Sequence, residues 1–175
     1  LQSLTVASLS ANEYHLYYKP YLDLLGDAEL MVAMHQGLKT MEEFLLGLDP
    51  VLLGISYGTT KWTIAEVLVH LVDTERIFQY RALRFARNDN TALAGFDQDA
   101  FVPESDAATK NKEQLLLEFK TGRLASIALF ESFDLEKLKR IGTASGSPMS
   151  VRALGFMISA HQLHHQNLLQ ERYLN

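Results

Sequence analysis

Apolar residues recur along this chain at steps of three and four, the spacing that lays one buried stripe along a helix. After Asp27 they fall at Met31, Met34, Leu38, Met41, Leu45 and Leu48, and Asp49-Pro50 ends the run. A second helix is expected from Thr63, where Thr63 and Glu66 form a capping box, to about Arg87, with Asn88-Asp89-Asn90 closing it. A third covers roughly residues 112–132 and carries Leu116, Phe119, Ile127 and Phe130 on one side. A fourth follows Ser147-Pro148-Met149-Ser150 and runs to about Tyr173. Ser10 and Glu13 repeat the capping-box pattern and predict a short opening helix that breaks near Pro20. No run alternates as a strand would, and Gly142 to Pro148 reads as a turn-rich connection. The expectation is an all-α four-helix bundle, one domain over residues 1–175.

One connection is unusually long. Asp89 to Asn111 separates the second and third helices without clear periodicity. At about 3.3 Å per extended residue it can travel the full length of a helix of about 36 Å. That predicts up-down-down-up order, with the crossover between helices two and three. The alternative is an up-and-down bundle with a disordered loop. Gly95, Phe96, Asp97 and Phe101 are placed to fold over one end of the bundle.

The fourth helix departs from a plain core pattern. Its stripe reads Val151, Leu154, Ile158, His161, His165, Leu168, so two of the inward positions are histidine. Histidines at i and i+4 point both rings to one side of a helix, one turn apart, which is how a helix offers two nitrogens to one cation. His164 lies between them as a weaker candidate. His70 supplies a third ring, among Val67, Leu71 and Ile77 of the second helix. It stands about 10 Å from the start of its helix, and His161 and His165 stand roughly 12 to 18 Å from the end of theirs. Antiparallel packing would bring all three to one level. Three neutral imidazoles leave a coordination position open, as in a catalytic site. Zinc suits them best, with nickel, cobalt and iron also compatible. The competing reading is three core histidines bonded to carbonyls or waters. His15 and His35 have no such partners and are expected at the periphery.

Composition narrows the function classes. The chain has 175 residues, 47% hydrophobic and 21% charged, an ordinary globular balance. Sixteen Lys and Arg against twenty-one Asp and Glu give −5, which argues against a nucleic-acid binder. With no cysteine, there is neither a disulfide framework nor a thiolate-ligated zinc site. No apolar stretch is long enough to span a membrane. The opening LQSLTVASLSANEY lacks the basic start and apolar centre of a signal peptide, so a cytoplasmic domain is expected.

Polar residues near the histidines have competing roles. Glu66 or Asp73 could hold the outer nitrogen of a ligating ring, although Glu66 is better explained by its cap. Thr74 lies one turn from His70. Glu75, Arg76, Arg81, Arg84 and Arg87 are expected to form mostly a solvated face with local ion pairs. Arg123 falls on the inward side of the third helix, where it pairs with Glu75 or meets an anionic substrate; the pair is favoured. Gln162 and Gln166 flank the histidines as ligand-binding candidates. No nucleophilic Ser with a paired base and no Gly-rich phosphate loop is present.

Taken together, several segments resemble the DinB superfamily. These are Lys61-Trp62-Thr63-Ile64 leading to His70, Asp73-Thr74-Glu75-Arg76-Ile77, Tyr80-Arg81-Ala82-Leu83, Gly95-Phe96-Asp97, Gly142-Thr143-Ala144-Ser145-Gly146 and His161-Gln162-Leu163-His164-His165. The resemblance implies an up-down-down-up bundle of the DinB/YfiT-like kind. It also implies a divalent metal, zinc or nickel, on His70, His161 and His165. Some relatives transfer or isomerise with bacillithiol, mycothiol or glutathione, and many have no established activity. Close relatives often show Gly-His-Glu where this chain has Ala160-His161-Gln162, so a proton-transfer role at position 162 is not expected here. The reading is thiol activation at a three-histidine metal, for transfer to a small electrophilic substrate. The alternatives are a hydrolase using metal-activated water and a non-catalytic metal-binding stress-response protein. Pairing of two copies through a helix face is a further expectation.

Overall fold

The computed structural model describes residues 4–174. Four long helices dominate: α1 (Leu30–Gly47), α2 (Ile64–Ala86), α3 (Lys112–Glu131) and α4 (Val151–Tyr173). Between α3 and α4 lies a hairpin, β1 (Ile141–Ala144) and β2 (Ser147–Ser150). The starts of the helices are set by local chemistry. At α2 the Thr63 N–H donates to the Glu66 carboxylate at 2.7 Å, and the Glu66 N–H donates to Thr63 Oγ1 at 3.3 Å. Asn111 and Gln114 make the same reciprocal pair before α3, and Ser150 Oγ caps α4.

Two apolar clusters fill the bundle, and they show how the helices run. One holds Leu30 and Met34 of α1, Phe78 to Ala86 of α2, Ile127 and Phe130 of α3, and the first half of α4. The other holds Met41 and Leu45, Ile64 to Val72, Leu115 and Phe119, and Leu169 near the end of α4. So α1 and α4 run one way, and α2 and α3 run the other. Cross-links between α2 and α3 agree with this: Glu75 meets Arg123 and Gln79 meets Ser126. Among the described residues no helix is long and apolar enough to cross a membrane.

The crossover is ordered rather than loose. It contains short helical turns at Gln98–Phe101, Val102–Glu104 and Ala107–Thr109, and buries Val102 and Ala107. It is stitched to the hairpin, because Leu93 donates to Thr143 O at 2.9 Å and Ser145 donates back to Leu93 O at 3.1 Å.

Several expectations need correction. The stretch after Ser10 is turn, not helix: Ser10 N–H does reach Glu13 Oε1 at 2.9 Å, but the same carboxylate is clasped by Arg152 of α4. Helical turns follow later, over residues 16–25, and Pro20 sits in the first turn of Lys19–Leu22, where its missing N–H leaves no bond unmade. The first long helix begins at Leu30 rather than Asp27. Asp49 does end it, yet it also caps the next turn, Pro50–Gly54, by accepting from Val51. The turn-rich connection contains the hairpin, whose four-residue strands are too short to show alternation. Its two-residue turn places Ser145 at φ 53° and Gly146 at φ 74°, the left-handed pair that a tight hairpin needs. On α3 Leu115 is buried and Leu116 only partly so.

Candidate metal centre

α2 and α4 carry the three predicted rings to one point. His70 Nε2 and His165 Nε2 each lie 3.1 Å from His161 Nε2. One ligand atom from each of the three falls within 4.8 Å of the others. Nitrogens bound tetrahedrally to one zinc at about 2.0–2.1 Å stand about 3.3 Å apart. The cluster has that scale.

Hydrogen bonding within the cluster does not satisfy it. A neutral imidazole nitrogen either donates one proton or accepts through one lone pair. His161 Nε2 therefore serves one of its two neighbours well and leaves the other contact unmet. His165 Nδ1 is buried without a partner among the described residues. Such groups are costly to bury unpaired. A cation accepting all three Nε2 lone pairs removes the conflict among those atoms, so the donor set fits a divalent metal.

Burial also keeps the lone pairs free. It lowers the His70 pKa to about 4. His165 falls to about 3 through burial first, then the charges of His70 and His164. His161 is held well below its ordinary range by burial and by the three neighbouring rings. All three are neutral at pH 7, as metal ligation requires.

The surroundings differ in part from expectation. Glu66 is engaged in the α2 cap, and Asp73 pairs with Arg76 at 3.2 Å. The outer nitrogen of His70 instead faces Thr74 Oγ1 at 3.4 Å. His164 stays outside the cluster, packed against Tyr21 with ring centres 4.8 Å apart. Gln162 turns away to α1 and donates to Gly37 O at 2.8 Å, while Gln166 donates to Thr40 O at 3.2 Å. The deepest stripe in the second half of α4 is thus Gln162, Gln166 and Leu169, and His161 and His165 flank it on a half-buried side. Arg123 is fully buried and donates to both Glu75 oxygens, at 2.7 and 2.9 Å, which makes it a structural cation.

Two cavities of about 210 Å³ each reach the cluster. One includes His165, Trp62, Lys61, Tyr173 and Asp99. The other includes His161, Tyr21, Phe78, Arg81 and Phe96. The crossover contributes Asp99 to the first and Phe96 to the second. Trp62 packs on His70 with ring centres 4.9 Å apart. Periodicity and spacing assign no role to Trp62 or Tyr21, and they leave Arg81 on a solvated face, whereas it is buried. Arg81 sits three residues after Phe78 and four before Phe85, and that step on the apolar stripe is the signal that could have found it.

Comparison with known proteins follows the same lines. YfiT from Bacillus subtilis, described as a "probable metal-dependent hydrolase with an unusual four-helix bundle topology", superposes with a TM-score of 0.71. The match covers 81% of this chain and 84% of that one at 16% identity, and it shows a shared fold. No curated protein matches the chain at a significant level. The family model of the DinB superfamily matches residues 33–169, which takes in all three clustered histidines. With well over half of its length matched, the chain belongs to the DinB superfamily.

Proposed function

We propose that this protein is a metal-dependent enzyme that activates a low-molecular-weight thiol at His70, His161 and His165 and delivers it to an electrophilic small molecule. The carrying observation is the convergence of three neutral imidazoles between two cavities, with no carboxylate in the cluster. A divalent cation held there acidifies a thiol that reaches it, making a nucleophile at neutral pH. The chain's own groups do the rest. The histidines would hold the cation, Trp62 packs on His70 and Tyr21 on His161, and the absence of cysteine leaves no internal thiolate to compete for an open position. Glu66 and Asp73 are occupied elsewhere, which favours a nucleophile that needs no carboxylate base.

A second reading, hydrolysis by metal-activated water, draws support from Asp99, which shares a cavity with His165 and could orient a water. The description of YfiT points the same way. Conjugation of monochlorobimane with glutathione, bacillithiol and mycothiol tests the first reading. The zinc-loaded protein is expected to accelerate at least one reaction, and the His70→Ala/His161→Ala/His165→Ala variant none. Equal rates in both overturn thiol transfer, and thiol-independent cleavage of simple esters by the wild type alone establishes hydrolysis instead.

A further inference from the structure

The cavity at His161 contains a buried cation with no counter-charge among the described residues. Three arginines are buried, and two have carboxylate partners: Arg123 pairs with Glu75 and Arg152 with Glu13. Arg81 is only 5% exposed, yet among the described residues no carboxylate lies within ion-pair distance. Its partners are neutral. Nη2 donates to Ala94 O at 3.2 Å and to Ser145 Oγ at 3.0 Å, and the Phe96 ring lies 6.0 Å from the guanidinium carbon. Tyr18 beside it is a neutral phenol at pH 7, pushed further from ionising by burial. An unpaired buried charge is expensive, and a guanidinium does not escape the cost by losing its proton.

We infer that Arg81 is the anchor for an anionic group on the substrate, a carboxylate or a phosphate, in the cavity that His161 also lines. The inference rests on the proposed metal site only for what happens at His161. Aromatic walls from Tyr18, Tyr21, Phe78 and Phe96 favour a flat, unsaturated or aromatic body. A volume of about 210 Å³ limits that body to a small molecule. The guanidinium is held by two segments far apart in the chain: Ala94 belongs to the crossover and Ser145 to the hairpin turn, and these two segments are bonded to each other. The anchor is therefore built before any ligand arrives.

Calorimetric titration of the zinc-loaded protein with benzoate, phenyl phosphate and neutral benzamide tests this, with an EDTA-stripped sample as a parallel arm. At least one anion is expected to bind about tenfold to a hundredfold tighter than benzamide in both samples. Arg81→Gln should erase that preference while retaining wild-type zinc content and melting temperature. Whichever anion prevails identifies the headgroup. Benzamide binding as tightly as both anions, or no binding by either anion, overturns the inference on the wild type alone, and an unchanged preference in Arg81→Gln does so too. If the protein holds no metal but the Arg81-dependent preference persists, the metal reading falls and the anion anchor stands. If metal is stoichiometric but that preference is missing, the anchor falls and the metal reading stands.

Discussion

His70 Nε2 and His161 Nε2 meet at 3.1 Å across the seam between α2 and α4, although 91 positions separate them in the chain. Two ring nitrogens at that distance, with His165 Nε2 beside them, make a site that no pairing of tautomers satisfies. Elemental analysis of protein purified without an affinity tag should find about one divalent cation per chain, and little in the triple alanine variant. Zinc at a thousandfold excess over its Kd should stabilise the wild type by about 4 kcal/mol against unfolding and leave the variant unchanged.

Acidity should destabilise the metal-free fold early. In the unfolded chain these histidines titrate near their ordinary value of 6.5, whereas folded His70 and His165 titrate at about 4 and about 3. Between those limits the unfolded state binds more protons, so stability is lost as pH falls from about 6.5 toward 4. Urea midpoints of EDTA-treated protein should drop more between pH 7 and pH 5 than those of the triple variant. Parallel pH profiles for the two proteins would refute the assignment of neutral, buried rings.

The Arg123–Glu75 pair is a strong structural element of the bundle. Ser126 Oγ also donates to Glu75 at 2.6 Å, and Arg123 Nη1 donates to Met34 O at 3.3 Å, so the pair joins α1, α2 and α3. Glu75→Gln leaves a fully buried guanidinium without its counter-charge and should cost about 3–5 kcal/mol. A shift in chemical denaturation below about 1 kcal/mol would contradict this account.

Gly155 lets α4 approach its neighbours closely. A β-carbon there would stand 2.6 Å from the Phe130 ring and 2.8 Å from Leu30. Gly155→Ala gains about 1 kcal/mol in helix propensity but should lose about 1–3 kcal/mol to overpacking, for a net destabilisation. Thermal melts should show a lower Tm than wild type.

The Thr74 hydroxyl faces the outer His70 nitrogen at 3.4 Å and holds that ring in orientation. Thr74→Val keeps the shape and removes the hydroxyl, so zinc affinity should fall about tenfold or more while the fold melts as before. Competition against a chromogenic chelator measures it.

Much of this molecule can be read from the chain without its fold. Helix stripes such as Met34, Met41 and Leu45, the Thr63–Glu66 cap and the spacing of His161 and His165 are local patterns set by a period of 3.6 residues and by side-chain reach, and they appear in the structure as expected. The level at which His70 joins them also followed from counting turns, because α2 and α4 run antiparallel. Tertiary packing decided what short-range pattern does not encode. It drew Glu13 to Arg152 and away from a helix, turned Gln162 to the α1 backbone, and left Arg81 with neutral partners. A polar side chain's role depends on which distant groups share its low-dielectric surroundings, and those neighbours exist only once the helices have packed.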